Sequence, residues 1–276
     1  MLALPILRSG GCGTYVAAVC AGFGHAAKGQ GVGAATEKGV YYIMKLLQKL
    51  YDICFPLPEV CPVCLKKQER LQVCDTCRAE ALRRRSLYGQ CQRCHSFGVQ
   101  GTVCSSCRQW PAYLVGNLAV WPYQDGWQQV ILDFKFRNMP WLAAALAAEL
   151  AQVLPAETDL IVPVPLHKNR LRERGYNQSA LLAKELSEKS GIAWQDCLMR
   201  VRDTPHQTGL SRSQRLKNLE HAFALRPGQA VASKRIVLVD DVFTTGSTLL
   251  QCAQELHRHG AVEICGLTLA SGQSSF

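Results

Sequence analysis

Two adjacent aspartates, Asp240 and Asp241, end a run of aliphatic residues in the stretch IVLVDDVFTTGSTL (236–249). The turn that follows, TTGST, would present hydroxyls and backbone N–H groups at the start of a helix, which is a ready site for a phosphate. Carboxylates repel phosphate, so the aspartates suit sugar hydroxyls or a Mg²⁺ ion. Ribose 5-phosphate carries hydroxyls about one sugar length from its phosphate and therefore matches both halves. The candidate binding residues are Asp240, Asp241, Thr244, Thr245, Gly246, Ser247 and Thr248.

A strand, a turn and a helix in this order must position these residues. The run IVLVD predicts a buried strand, and residues 247–259 predict a helix that ends at Gly260. Open α/β sheets bind ligands outside the carboxyl ends of their strands, which is where the turn would lie. The pattern GxxxxGK[ST] is absent, so the turn is not a P-loop, and the chain also contains no GxGxxG.

The rest of the C-terminal part alternates strands and helices. Predicted strands cover 114–123 (a strand or a hairpin), 160–166 and 262–270, and predicted helices cover 127–134, 142–154 and 178–190. Asn177 is a good N-cap for the last of these helices, and Gly191 stops it. Apolar strands that alternate with helices predict an α/β fold with a mainly parallel sheet flanked by helices.

Eight of the 14 cysteines form four CxxC pairs, and each cysteine recurs 30 positions later. Pairs with this spacing supply four thiolates to a tetrahedral zinc ion, so two structural zinc sites are expected. The repeat favours sequential grouping, and a cross-brace that joins the first pair with the third remains open. The sequential sets are Cys61, Cys64, Cys74 and Cys77, and then Cys91, Cys94, Cys104 and Cys107. Metal-type spacing and the lack of a convincing secretory signal favour a reducing cytoplasm.

The stretch 236–249 resembles the phosphoribosyl pyrophosphate (PRPP) motif of type I phosphoribosyltransferases, in which the acids bind the ribose hydroxyls and the turn holds the 5-phosphate. Over roughly residues 50 to 270 the chain resembles the ComF family, of the ComFC and GntX type. Besides the cysteine module and the PRPP motif, the resemblance rests on VP (164–165), RGYNQ (174–178) and the stretch QTGLSRSQRLKNLEHAF (207–223). It implies a type I phosphoribosyltransferase-like fold with a small N-terminal zinc-ribbon module, and Mg²⁺ bound together with PRPP.

The resemblance also implies roles for the cations that follow the strand at 160–166. His167, Lys168, Arg170, Arg172 and Arg174 would face the pyrophosphate leaving group, and residues 200–223 would form a flexible loop over the site. A charge run of this kind is more often a solvated surface, but its position after a buried strand favours function. The residues assigned to the pyrophosphate and flexible loops are Lys168, Arg170, Arg174, Asn177, Gln178 and Arg215.

Two functions fit these features. The first is an enzyme that transfers the pentosyl group of PRPP to a nitrogen nucleophile through an oxocarbenium-like state. The second is a non-catalytic nucleotide- and DNA-binding protein that has kept the PRPP fold. The family is associated with the uptake and cytoplasmic handling of single-stranded DNA in natural transformation, so competence helicase or recombination proteins are candidate partners. No base-reading motif is evident in residues 110–155, so the acceptor is unknown.

The formal net charge of +10 favours anionic partners such as nucleic acid. Residues 61–108 hold nine Lys or Arg against three Asp or Glu. The arginines between the two cysteine units are therefore candidate DNA contacts, and the alternative is that the module only stabilises the fold. These arginines are Arg83, Arg84 and Arg85.

The organisation that follows has three parts. Residues 1–43 are rich in glycine and alanine without a helical or strand period, so we expect disorder or a translation start placed too early. Residues 44–110 would form the double zinc-ribbon module, and residues 111–276 the phosphoribosyltransferase-like domain. The sequence has no run of 18 apolar residues, so we expect no membrane insertion.

Overall fold

A computed structural model describes residues 56–87, 89–99, 102–202, 219 and 221–272. The chain divides into the units Met1–Leu57 and Pro58–Phe276, and every element below belongs to the second. The leader expected at 1–43, Arg215 and most of the predicted flexible loop lie outside the described residues.

The four strands and four helices that the sequence predicts in the C-terminal part are present among the described residues, together with short elements that it did not predict. Two helices, α1 (Asp75–Leu87) and α2 (Ser105–Arg108), accompany the cysteine pairs. The remaining elements, in chain order, are β1 (Leu114–Pro122), α3 (Asp125–Phe136), α4 (Leu142–Ala151), β2 (Leu160–Pro163), α5 (Lys168–Arg174), α6 (Gln178–Ser190), β3 (Leu198–Arg200), β4 (Phe223–Leu225), β5 (Arg235–Phe243), α7 (Ser247–Arg258) and β6 (Glu263–Ser271).

The central sheet has four strands in the order β1-β6-β5-β2, and all three neighbouring pairs are parallel. The prediction of an α/β fold with a mainly parallel sheet is confirmed. Residues 114–123, for which a hairpin was an alternative, supply the single edge strand β1. Strands β3 and β4 form a separate antiparallel pair.

The sheet separates two apolar cores because successive side chains of a strand point to opposite faces. In β5, Val237 and Val239 pack with apolar residues of α3, α4 and α6. Ile236 and Leu238 pack with α7 and with the second set of cysteines. Strand β5 is therefore covered on both faces, as its unbroken aliphatic run predicts.

Two differences from the predicted elements bear on the site. Strand β5 continues through both aspartates to Phe243, because β6 keeps pairing with it as far as Ser271. The cations that follow β2 lie on the short helix α5 rather than in a loop. This helix forms because the His167 side chain accepts a hydrogen bond from the backbone N–H of Asn169, and Gly175, with φ of 81°, ends it.

Candidate functional site

The carboxyl end of β5 brings the two aspartates and the hydroxyl-rich turn together. Asp241 is buried, with 9% of its surface exposed, and Asp240 is half-buried. We call residues 244–248 the phosphate turn. Its Gly246 has φ of 75° and is the N-cap of α7. The predicted ribose-phosphate residues therefore lie at one sheet edge, where backbone N–H groups of a helix start adjoin two carboxyl groups.

The phosphate turn is closely packed. Ser247 is buried, and its hydroxyl lies 3.0 Å from that of Thr245. A Cβ on Gly246 would lie 2.9 Å from carbons of both Phe243 and Trp110. Glycine is thus required at this position for two reasons, its positive φ and the close approach of two aromatic rings.

Asp240 binds protons more tightly than an ordinary aspartate. Burial of its carboxyl, with added repulsion from Asp241, raises the pKa of Asp240 to about 7. The carboxylate is partly compensated because Asp240 Oδ1 accepts hydrogen bonds from Ser179 Oγ at 3.0 Å and from the Asp241 backbone N–H at 2.9 Å. Asp240 is therefore partly protonated near neutral pH.

Lys135 is a site residue that the motifs did not identify. Its Nζ lies 2.6 Å from Asp241 Oδ1, and the two side chains are only 17% and 13% exposed. A lysine with so little exposure is unusual unless it is paired. The sequence feature that could have identified Lys135 is its position on α3. It follows the buried Ile131 by four residues and therefore falls on the apolar face of the helix.

The RGYNQ segment connects the neighbouring elements. Asn177 caps α6 by accepting from the Ser179 N–H at 3.1 Å, and its Nδ2 donates to the carbonyl of Val164 at 3.1 Å. Gln178 is buried, and its Oε1 accepts from Arg174 at 3.1 Å. In this structure Asn177 and Gln178, which the resemblance assigned to ligand-binding loops, contact protein groups and hold α5 and α6 in place.

The predicted pyrophosphate cations lie at the same sheet edge because α5 follows β2, the neighbour of β5. Lys168 is exposed and Arg170 is half-buried. The guanidinium of Arg174 lies 4.8 Å from the centroid of the Phe136 ring. Burial lowers the pKa of Arg174, while the nearby Asp241 carboxylate opposes that shift. Positive charge from Arg174 thus lies near the Asp241 carboxylate.

The structure brings the eight cysteines together in the two sequential sets. We call Cys61, Cys64, Cys74 and Cys77 the first cysteine group, and Cys91, Cys94, Cys104 and Cys107 the second cysteine group; in each, all sulfurs lie within 4.8 Å of one another.

Sulfur separations in both groups suit a tetrahedral metal ion. They are 3.9 Å for Cys61–Cys77, 3.7 Å for Cys64–Cys74 and 3.8 Å for Cys94–Cys104. Four sulfurs at about 2.3 Å from a zinc ion would be about 3.8 Å apart, whereas a disulfide needs about 2 Å. Each group could therefore hold a metal ion.

Thiol acidity in the second group supports the same conclusion. A hydrogen bond from Cys107 lowers the pKa of Cys94 to about 5, while the same contact raises the pKa of Cys107. A sulfur that is already thiolate at neutral pH is a ready metal ligand.

The three consecutive arginines lie on α1 and contact neighbouring protein groups. Arg83 and Arg84 each donate to Glu80 at 2.7 Å, and these hydrogen bonds lower the pKa of Glu80 to about 2. Arg84 also pairs with Asp125 at the start of α3. Arg85 is half-buried and donates to the carbonyl of Val120 at 3.4 Å. Arg83 is the most exposed of the three: 60% of its side-chain surface is accessible, compared with 28% for Arg84.

Among the described residues, none of the helices combines the length and the apolar character that a bilayer crossing needs.

Comparison with known proteins gives one domain match and several relatives. A family model for the phosphoribosyl transferase domain matches residues 142–275. The DNA utilization protein YhgH of Salmonella typhi is 37% identical over 201 residues, which cover 70% of this chain and 87% of that protein. Competence protein F of Haemophilus influenzae is 35% identical over 176 residues, which cover 58% of this chain and 75% of that protein. Competence protein ComFC of Bacillus subtilis is 29% identical over 217 residues, which cover 74% of this chain and 85% of that protein.

The domain match includes β5 and the phosphate turn and begins after α3 and both cysteine groups. Lys135 therefore reaches the site from outside the matched domain.

Proposed function

The chain belongs to the ComF family, the family of competence protein F and of the DNA utilization protein YhgH, and from this we propose that it binds PRPP together with Mg²⁺ and acts in the handling of single-stranded DNA during competence. The observation that carries the proposal is that three kinds of binding group lie at one edge of the sheet. The acids of β5 suit the hydroxyls of a sugar, and the phosphate turn before α7 suits its phosphate. The cations of α5 suit a pyrophosphate.

Each part of the site has a defined task in this proposal. Asp240 and Asp241 accept hydrogen bonds from the ribose hydroxyls, and the N–H groups of the phosphate turn hold the 5-phosphate. Lys168, Arg170 and Arg174 face the pyrophosphate, whose charge Mg²⁺ would also neutralise. Lys135 holds the Asp241 carboxylate by an ion pair.

The reaction class that fits is pentosyl transfer. The C1–O bond to pyrophosphate breaks, a nitrogen nucleophile forms a bond to C1, and pyrophosphate leaves with the electron pair. The protein would position the reactants, and the carboxyl groups of Asp240 and Asp241 would stabilise the positive charge of the oxocarbenium-like state.

The cysteine groups are proposed to hold one zinc ion each. Their role is structural, because a closed set of four thiolates leaves no open coordination position for chemistry. We retain the proposed division into a zinc-ribbon module up to residue 110 and a phosphoribosyltransferase-like domain from 111 onwards. We also propose a cytoplasmic location, where thiols stay reduced, with competence helicase or recombination proteins as partners.

A calorimetric titration with PRPP and Mg²⁺ tests the proposal. We expect saturable binding of one PRPP per chain, and loss of binding would overturn the PRPP site. A pyrophosphate-release assay with a panel of nucleobases then separates the two functions left open by the sequence. Binding without release under every condition would favour the non-catalytic nucleotide- and DNA-binding protein. A parallel titration with single-stranded DNA tests the DNA role independently.

A further inference from the structure

Trp110 lies directly beneath the phosphate turn. It is 6% exposed, and its ring meets that of Phe243 edge-on, with centroids 6.0 Å apart at 69°. Phe243 is the last residue of β5 before the turn. Trp110 Cζ2 also lies so close to Gly246 that an added Cβ there would be 2.9 Å from it. The indole therefore supports both the start and the middle of the turn.

The other side of Trp110 is held by the second cysteine group. Trp110 follows Cys107 by three residues, and its backbone N–H donates to the Cys107 carbonyl at 3.2 Å. The guanidinium of Arg93, between Cys91 and Cys94, lies 5.6 Å from the indole centroid.

Arg93 itself is fixed by several backbone acceptors. It donates to the carbonyls of Cys107 at 2.7 Å, Pro111 at 3.1 Å and Leu114 at 2.6 Å. These contacts tie the first knuckle of the second group to its second knuckle and to the segment that carries Trp110.

The two cysteine groups differ in what they contact. Cys91, Cys94 and Cys107 share one core with Trp110 and Phe243. The first group lies against the other core. There Arg78, next to Cys77, pairs with the buried Glu149 of α4, and Val63 approaches Gly126 of α3.

We propose that Trp110 is a positioning residue for the phosphate turn, and that metal binding by the second cysteine group, but not by the first, sets the affinity of the site for a sugar phosphate. The proposal rests on the proposed ribose-phosphate site. Its physical basis is that the N–H groups of the turn converge on a phosphate only while Gly246 keeps its left-handed conformation. Loss of the second metal would release Arg93 and Cys107 from Trp110 and leave the turn unsupported from below.

The 30-residue repeat offers a pair of variants at corresponding positions, although Cys94 is buried and Cys64 is exposed. Cys94→Ser and Cys64→Ser change the second cysteine of the first knuckle in each group. Each variant should lose one metal ion by elemental analysis. We expect Cys94→Ser to weaken the binding of ribose 5-phosphate at least tenfold and to leave Mg²⁺–pyrophosphate binding unchanged. Cys64→Ser should leave both affinities within twofold of the unmodified protein.

Trp110 variants test the same link without changing a metal ligand. Trp110→Ala should weaken ribose 5-phosphate binding as Cys94→Ser does, and Trp110→Phe should restore most of the affinity because a ring remains beneath Gly246. Thermal melting and metal content identify any variant that has unfolded. Equal effects of Cys94→Ser and Cys64→Ser, or normal phosphate binding by a folded Trp110→Ala protein, would overturn the proposal.

Hydrogen exchange separates this proposal from the proposed function. In the ligand-free protein, amides of residues 245–250 should exchange faster in Cys94→Ser and Trp110→Ala than in Cys64→Ser. If the unmodified protein binds no ribose 5-phosphate, the proposed function fails, and the exchange rates alone decide whether the second group supports the turn. Unchanged exchange in Cys94→Ser and Trp110→Ala would contradict the positioning role.

Discussion

Lys135 and Asp241 form an ion pair, with Nζ 2.6 Å from Oδ1, between α3 and the end of β5. The pair sets a lysine against a buried carboxyl group, while burial and the neighbouring Asp241 raise the pKa of the adjacent Asp240 to about 7. A helix outside the matched phosphoribosyl transferase domain thus supplies a cation to the acid pair.

Replacing Lys135 with Met should leave Asp241 buried and unpaired. We expect unfolding free energy at pH 7 to fall by about 3 kcal/mol, since removing one partner of a buried ion pair exposes the full cost of the remaining charge. Urea denaturation measures this change. The double variant Lys135→Met/Asp241→Asn should recover most of the loss, and a loss that is merely additive would show that the pair is not coupled.

Asp240 should make stability depend on pH. Its pKa in the folded protein is about 7, raised above the ordinary value of 3.8. The contribution of Asp240 to the free energy of unfolding is therefore fully present below about pH 4 and is lost as pH rises through about 7. Burial raises this pKa most and Asp241 adds to the increase, while Lys135 and the Ser179 hydroxyl oppose it. Asp240→Asn should therefore gain stability relative to the unmodified protein between pH 4 and pH 8. A constant difference across that range, in urea denaturation, would contradict the raised pKa.

The acid pair should be essential for PRPP binding. Replacing Asp240 and Asp241 with Ala removes at least two hydrogen bonds to charged groups, each contributing roughly 1.5–3 kcal/mol. Affinity for PRPP should fall about a hundredfold or more, as measured by calorimetry. Because the structure places both acids within β5 and pairs Asp241 with Lys135, Asp240→Asn is the better-folded companion variant. Normal PRPP binding by the folded double variant would refute the ribose assignment.

Purified, reduced protein should carry about two zinc ions per chain, as two sets of four thiolates require. Elemental analysis after gel filtration measures the number. Removing the metal with a chelator should unfold the cysteine module first, because metal binding and local folding are coupled in such sites. A metal-free protein with unchanged melting would show that the cysteines are simple core thiols.

Arg83 is the best-placed of the three consecutive arginines to contact DNA. Arg83→Ala should lower affinity for single-stranded DNA and reduce the slope of log affinity against log salt by about 1, as for one phosphate contact. PRPP binding should not change. Arg84→Ala is the contrasting variant, because it breaks the pair with Asp125 and should lower stability as well. If the salt dependence of DNA affinity were the same in Arg83→Ala as in the unmodified protein, Arg83 would not contact DNA.

The local pattern of the sequence determined the elements that carry the motifs. The unbroken aliphatic run of β5, the Asn177 cap and Gly191 stop of α6, and the repeated cysteine spacing each depend on residues within a few positions of one another. Such patterns express backbone preferences, burial and ligand geometry that need no knowledge of distant contacts. They were sufficient to predict the parallel sheet and the strand, turn and helix that bring residues 240–248 to its edge.

Tertiary structure decided which charges and rings meet. Lys135 reaches Asp241, and Trp110 supports Gly246, across long stretches of chain that no periodicity connects. The extension of β5 to Phe243 likewise depends on the length of its neighbour β6. The physical reason is that pairing energies and pKa shifts depend on distances in space and on burial, which only the packed fold establishes. The sequence by itself therefore determined what chemistry the site contains, and the fold decided how that chemistry is held and charged.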